Sequence, residues 1–198
     1  MTKAWLLVFF SALTWSVVNP RDALTWFLEV FPALLAFALL WGTRRRFHFT
    51  PLAYFLILLH CIILMVGGHY TYAEVPLFDQ LKDVFAWHRN NYDKLGHFAQ
   101  GFVPAIVARE ILIRNAVVVA GNWRFFIVTS ICLAISALYE LIEWGVALAS
   151  GAAAEAFLGT QGDIWDTQSD MAFALVGAIV AQIALGRMHG SQIDNLSK

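Results

Sequence analysis

Asp93, His97, Gln100 and Gly101 stand four, seven and eight residues along from the first of them, Glu140 and Glu143 stand three apart, and Asp166 and Asp170 four apart. On a helix each of these spacings puts the residues on one face. Pro104 extends the first stripe. Ser136 and Ala147 flank the glutamates of the second. Ala174, Gly177 and Ala181 follow the third and are small enough for close helix contact. Ionisable groups inside apolar runs are costly and by default point to function. If the three stripes face inward, His97, Glu140, Glu143, Asp163, Asp166 and Asp170 converge. Five carboxylates in one partly dehydrated place repel one another. Either one of Glu140, Glu143 and Asp170 is then protonated, or a cation compensates. Lys94 brings one positive charge, and a divalent metal would bring two. Its candidate ligands are His97, Glu143, Asp163, Asp166 and Asp170. Glu140, Glu143, Lys94 and Tyr72 are the candidate catalytic groups, with Tyr70, Tyr72 and Tyr139 able to orient ligands or donate hydrogen bonds. No coenzyme motif is visible, so a divalent metal is the cofactor candidate. Each piece also has a plainer reading. Asp93-Lys94 can be an interfacial pair at a helix entrance, His97 an interhelical hydrogen-bonder, and Asp163 and Asp166 solvated or capping residues.

The elements that must position these residues follow from composition. Of the 198 residues 60% are apolar and 14% charged, against roughly 25% charged in a soluble domain, and mean hydropathy is +0.65. That excludes a soluble globular domain, a disordered chain and a nucleic-acid binder with a basic face. The fold class is an all-α polytopic membrane bundle, read as a single integral domain over 1–198. A spanning helix needs about 20 apolar residues. Six spans are expected, at about 4–18, 23–41, 51–70, 93–113, 125–149 and 167–185. The first is short, and a cleaved signal peptide is its alternative reading. Arg44, Arg45 and Arg46 follow span two, Arg114 and Arg124 flank the loop after span four, and Lys3, Arg187 and Lys198 lie near the termini. The other side carries Arg21, Lys82, Arg89 and Lys94. The positive-inside rule then puts both termini in the cytoplasm and the acidic residues in the outer half.

Between spans three and four, Phe78, Leu81, Phe85 and His88 form one stripe, with Asp79, Lys82, Asp83 and Arg89 elsewhere. This short outward amphipathic helix lies either on the membrane surface, with Trp87 as anchor, or over the bundle as a lid. Several residues read as structural. Glu29 and Pro32 mark a kink with a hydrogen-bonded acid, and His60 is a core histidine. Glu110 pairs with Arg114 at i+4 near Arg109, and the Arg44–Arg46 cluster meets anionic lipid. Cys61 and Cys132 are packed thiols.

Four runs carry a resemblance: Gly68-His69-Tyr70-Thr71-Tyr72-Ala73, Asp93 through Gly101 (DKLGHFAQG), Tyr139-Glu140-Leu141-Ile142-Glu143-Trp144 and Gly159 through Asp166 (GTQGDIWD). They resemble the YjdF family of bacterial inner-membrane proteins. The resemblance implies a multi-pass protein of the inner (plasma) membrane. More distantly the second half resembles the VanZ-like proteins associated with glycopeptide resistance. Asp93, Lys94 and His97 match their Asp-Lys-x-x-His, Glu143 their following glutamate, and Asp166 and Gly177 part of their last motif. Asp170 stands where that pattern has Asn, and Phe173 where it has its first glycine.

Three functions compete at this stage. The first is a metal-assisted enzyme acting on a lipid or cell-envelope precursor at the outer leaflet. The second is a proton- or cation-coupled transporter, which the scarcity of acids in the inner half and the lack of an internal repeat disfavour. The third is a non-catalytic membrane scaffold or regulator. Membrane lipids are the expected partners and nucleic acid is not. No motif sets an oligomeric state.

Overall fold

The computed structural model describes residues 1–118, 121–150 and 160–196. Gly159 of the fourth run and Lys198 of the tail lie outside them. The described residues form seven helices and no strand: α1 (Lys3–Val17), α2 (Ala23–Thr43), α3 (Pro51–Tyr70), α4 (Pro76–Phe85), α5 (Tyr92–Arg114), α6 (Asn122–Ser150) and α7 (Asp166–Leu196). Capping chemistry sets several starts. Thr2, Asp22 and Thr50 each accept a hydrogen bond from a backbone N–H three residues on, and Pro51 occupies the first turn of α3, where no N–H is needed. Helix α3 ends on Thr71 in the left-handed conformation.

Four of these helices, α2, α3, α6 and α7, are long and apolar enough to cross a membrane. Helix α1 has 15 residues, and α5 has the length but carries Asp93, Lys94, His97, Arg109 and Glu110. Large apolar side chains such as Leu138, Leu141, Leu148 and Ile183 point away from the bundle with more than half their surface exposed, as expected where the neighbour is hydrocarbon. Helix α7 runs eleven residues past the expected end at 185. Its extension is held by Gln192, which accepts from the Leu52 N–H, and by buried His189 and Ile193.

Helix α5 is the centre. It packs most closely on α7, and also on α3 and α6, while α1 and α2 lean on α3. The contact of α5 with α7 is made by small residues: a Cβ on Gly101 would overlap the Ala174 carbonyl, and one on Gly177 the Phe98 carbonyl. Ala174, Ala178 and Ala181 are buried along the same seam. Cys61 and Cys132 are free, buried thiols in the core.

Between α3 and α5, helix α4 is tied to the start of α5. Phe78 packs edge-on against Tyr92, with ring centroids 5.1 Å apart. Asn90 donates to the Val75 carbonyl and to Asp79, tying α4 to the start of α5. Leu77, Val84 and Phe85 stay exposed.

Candidate functional site

The first two turns of α5, the C-terminal half of α6 and the start of α7 meet at one end of the bundle. The preceding loop supplies Arg89. Its guanidinium bonds Asp166 Oδ1 and the Thr160 carbonyl, lies 3.3 Å from Asp93 Oδ2 and 3.5 Å from Asp163 Oδ2. Lys94 Nζ donates to Asp166 Oδ1 and Asp170 Oδ1, both at 2.7 Å. Asp166 is therefore held by two cations at once. Loop 160–163 is fastened to the same place, because Gln161 exchanges hydrogen bonds with both the N–H and the carbonyl of Asn90.

His97 stands behind this network. Its Nε2 is 3.3 Å from Asp93 Oδ1 and 3.9 Å from Asp170 Oδ2; its Nδ1 is 3.2 Å from Gln100 Oε1 and 3.7 Å from Glu140 Oε1. Donor atoms of Asp93, His97 and Asp170 all lie within 4.8 Å of one another, and all three residues are buried. Oxygen and nitrogen ligands about 2.0–2.2 Å from a tetrahedral metal sit roughly 3.3 Å apart, so this triad needs little movement to hold one. Glu140 Oε1 is buried with no hydrogen-bond partner among the described residues.

The site opens on a cavity of about 570 Å³ bounded by α2, α3, α5 and α6. Its polar end is lined by Glu29, Tyr72, Asp93, His97, Tyr139 and Glu143. Tyr139 donates to Glu29 Oε2 at 3.2 Å, joining α6 to α2. Tyr72 reaches the cavity by a constrained turn. Thr71 and Tyr72 both have φ of 55°, a left-handed conformation that costs energy in residues with a Cβ. The turn lays the Tyr72 ring in the slot left by Gly67 and Gly96, where any Cβ would meet it. Burial pushes the Tyr72 phenol well above its ordinary pKa, so it stays a hydrogen-bond donor.

A family model described as a predicted membrane protein, DUF2238, matches residues 1–191. The chain belongs to this family. It is 54% identical over 181 residues to the inner membrane protein YjdF of Escherichia coli (strain K12), covering 91% of this chain and 87% of that protein. The resemblance read from the four runs is thereby shown, and the chain is an integral membrane protein of the DUF2238 family. No solved structure matches it.

Of the residues expected to meet in this DUF2238 protein, Asp166, Asp170, Lys94, His97 and Glu140 share one network, and Glu143 and Tyr72 line the cavity beside it. Asp163 touches the network through Arg89. The compact donor triad differs from the expected ligand set: it includes Asp93, while Asp163 and Asp166 face Arg89 instead. Three participants escaped sequence reasoning. Arg89 read as a loop charge, because it precedes α5 and no helical period links it to the acids. Glu29 is hydrogen-bonded, as expected of it, but its partner Tyr139 places it at the site. His60 lines the cavity, and its Nε2 is buried without a hydrogen-bond partner among the described residues. Nothing in the spacing of spans two and three signals either.

Proposed function

We propose that this protein lies in the inner membrane with the acidic end outward, and that it acts there on the head group of a membrane lipid or lipid-linked envelope precursor. The single observation that carries this reading is a polar site left incomplete: Glu140 Oε1 is buried and has no hydrogen-bond partner among the described residues, 3.7 Å from His97, which itself lines a large apolar cavity. Groups bought so expensively in a membrane are normally satisfied, so an unsatisfied one points to an absent ligand. The orientation rests on Arg44–Arg46, Arg114 and Arg187 at the opposite end. Six crossings, with α1 and α5 completing the four long apolar helices, fit that charge distribution.

In this reading Asp93, His97 and Asp170 hold a divalent cation, which when bound supplies Lewis acidity. Arg89 and Lys94 fix Asp93, Asp166 and Asp170 so that the triad keeps its shape. Glu140 and Glu143 are left to take a proton from an attacking water or hydroxyl, and Tyr72 to donate to a head-group oxygen. A proton-relay reading gains less support: between Gln100 and Arg109 helix α5 has no ionisable side chain, and the cavity wall beside it is apolar apart from His60, Cys61 and Thr43.

The test is metal analysis of detergent-purified full chain equilibrated with magnesium, manganese and zinc salts. About one ion per chain is expected, with retention about tenfold weaker in His97→Ala, a loss of ~1.4 kcal/mol, while the elution profile stays monodisperse. No bound ion in the wild type, or equal retention in the variant, overturns the metal role.

A further inference from the structure

The cavity is longer than the head-group site needs. Along α2 its lining runs from Glu29 through Ala36 and Leu40 to Thr43, and along α5 from Asp93 to Ile111. At 1.5 Å per residue the α2 wall is ~21 Å long, more than the ~15 Å of one leaflet's hydrocarbon. A volume of 570 Å³ spread over that length leaves a mean cross-section of ~27 Å². Apolar carbons touch at about 4 Å, so a hydrocarbon chain takes roughly 20 Å² and fits along it. Beyond the polar end the walls are mostly apolar, with Leu35, Leu39, Ile57, Val103 and Val107 among them and His60 and Thr43 as polar exceptions.

The cavity also has a side door. Helix α2 packs along α3, and α6 along α5 and α7, while α2 and α6 both line the cavity and do not pack closely on one another. Leu35 and Leu39 on α2 and Ile135 on α6 line the cavity and are 48%, 58% and 41% exposed. This gap faces the hydrocarbon of the bilayer. The Tyr139–Glu29 hydrogen bond bridges it at the polar end. Three carboxylates, Glu29, Asp93 and Glu143, line the cavity there with one imidazole, His97, whereas Arg89 and Lys94 do not line it.

We propose that this cavity seats one hydrocarbon chain of an amine-bearing membrane lipid, admitted sideways between α2 and α6, with the amine at Glu29 and Glu143. The proposal rests on the reading of the site as one that serves a membrane amphiphile, and it adds the chain slot, the entry route and the sign of the head group.

The experiment uses full-length protein in nanodiscs of phosphatidylethanolamine and phosphatidylglycerol, with retained lipid counted by native mass spectrometry after gentle extraction. One phosphatidylethanolamine per chain is expected. Val107→Trp, which fills the slot with an apolar ring, should lower retention about tenfold. Glu29→Gln with Glu143→Gln should abolish the preference for the amine while a chain is still retained. Equal retention of both lipids by the wild type, or unchanged retention in Val107→Trp, overturns the proposal. A measurement on the unaltered protein guards against misfolded variants. A phosphatidylethanolamine with a photoreactive group near its chain end should label 36–43 of α2 and 103–111 of α5. Labelling confined to outward positions such as Leu148 and Ile183 overturns it as well. Lipid retained by protein that binds no metal would sink the metal role alone, and metal bound without a retained lipid would sink the slot alone.

Discussion

The two ends of α5 are built from the same residue types and come out differently. At the arginine end Glu110 is fully buried, and its carboxylate is saturated. It accepts from the Thr50 N–H at 2.9 and 3.1 Å, the Thr50 hydroxyl at 2.8 Å, Arg114 at 2.9 Å and His189 at 3.0 Å. Arg109 donates to His189 Nδ1, so Nε2 carries the proton that reaches Glu110. Arg114 also donates to the His48 carbonyl and lies over the Phe47 ring. Every partner closes the joint between α3, α5 and α7. At the acid end His97 has carboxylates around it at 3.3 to 3.9 Å, most beyond good hydrogen-bond length, and Glu140 Oε1 accepts no hydrogen bond among the described residues. Acid and imidazole alone therefore do not mark a functional site. Whether their hydrogen bonds are completed by the protein does.

If that contrast is right, the largest stability effect belongs to the saturated end. Glu110→Ala strips the partner from Thr50, Arg114 and His189 together and leaves buried polar groups unpaired. We expect a loss of about 3–5 kcal/mol, read as a fall in monodisperse yield and in the thermal midpoint in detergent. A wild-type-like midpoint would mean that the network is a by-product of packing.

A carboxylate outside both clusters calibrates the scale. Asp22 caps α2 through the Thr25 N–H at 2.7 Å, and that bond holds its pKa below the ordinary carboxylate value. A depressed folded pKa gives stability that is present above the unfolded pKa of about 3.9 and lost as pH falls through the folded one. Asp22→Ala should cost about 1 kcal/mol at neutral pH. Thermal scans should show the gap between wild type and variant narrowing from about pH 5 to pH 3. A gap that is constant with pH would assign the cost to something other than the charged cap.

The legibility of this molecule divides along similar lines. Apolar runs near 20 residues and the periodic acids needed only local geometry, so the helices and the shared face of Asp93 and His97 could be read directly. Small residues at 174, 177 and 181 likewise announced the tight seam of α5 with α7. What stayed hidden depends on how distant helices are set beside one another. Thr50 and His189 complete Glu110 from 60 and 79 residues away, and Arg89 reaches Asp166 across 77. Glu29 joins the site only because α6 brings Tyr139 to it, 110 residues on. The cavity was equally invisible, since it is made by the space α2 and α6 leave between them and by no residue pattern.

The smallest expected change in stability is the most discriminating. Glu140→Gln keeps the shape of a side chain whose Oε1 accepts no hydrogen bond among the described residues, and removes a charge from a place crowded with carboxylates. The amide can keep the hydrogen bond that the carboxylate has with Thr167, and the substitution removes a buried charge and its repulsion from acidic neighbours. It also gives up attraction to His97, 3.7 Å away, which offsets part of that gain. The net effect on the thermal midpoint should stay within about 1 kcal/mol of wild type and lean toward stabilisation, while the same substitution at Glu110 is expected to be destabilising. Measuring both in one detergent, at one pH, with metal removed by a chelator, isolates the carboxylates from any bound cation. If Glu140→Gln proves as damaging as its counterpart at Glu110, then Glu140 is a structural strut, the two ends of α5 are alike, and the case for an incomplete site at the acid end falls with it.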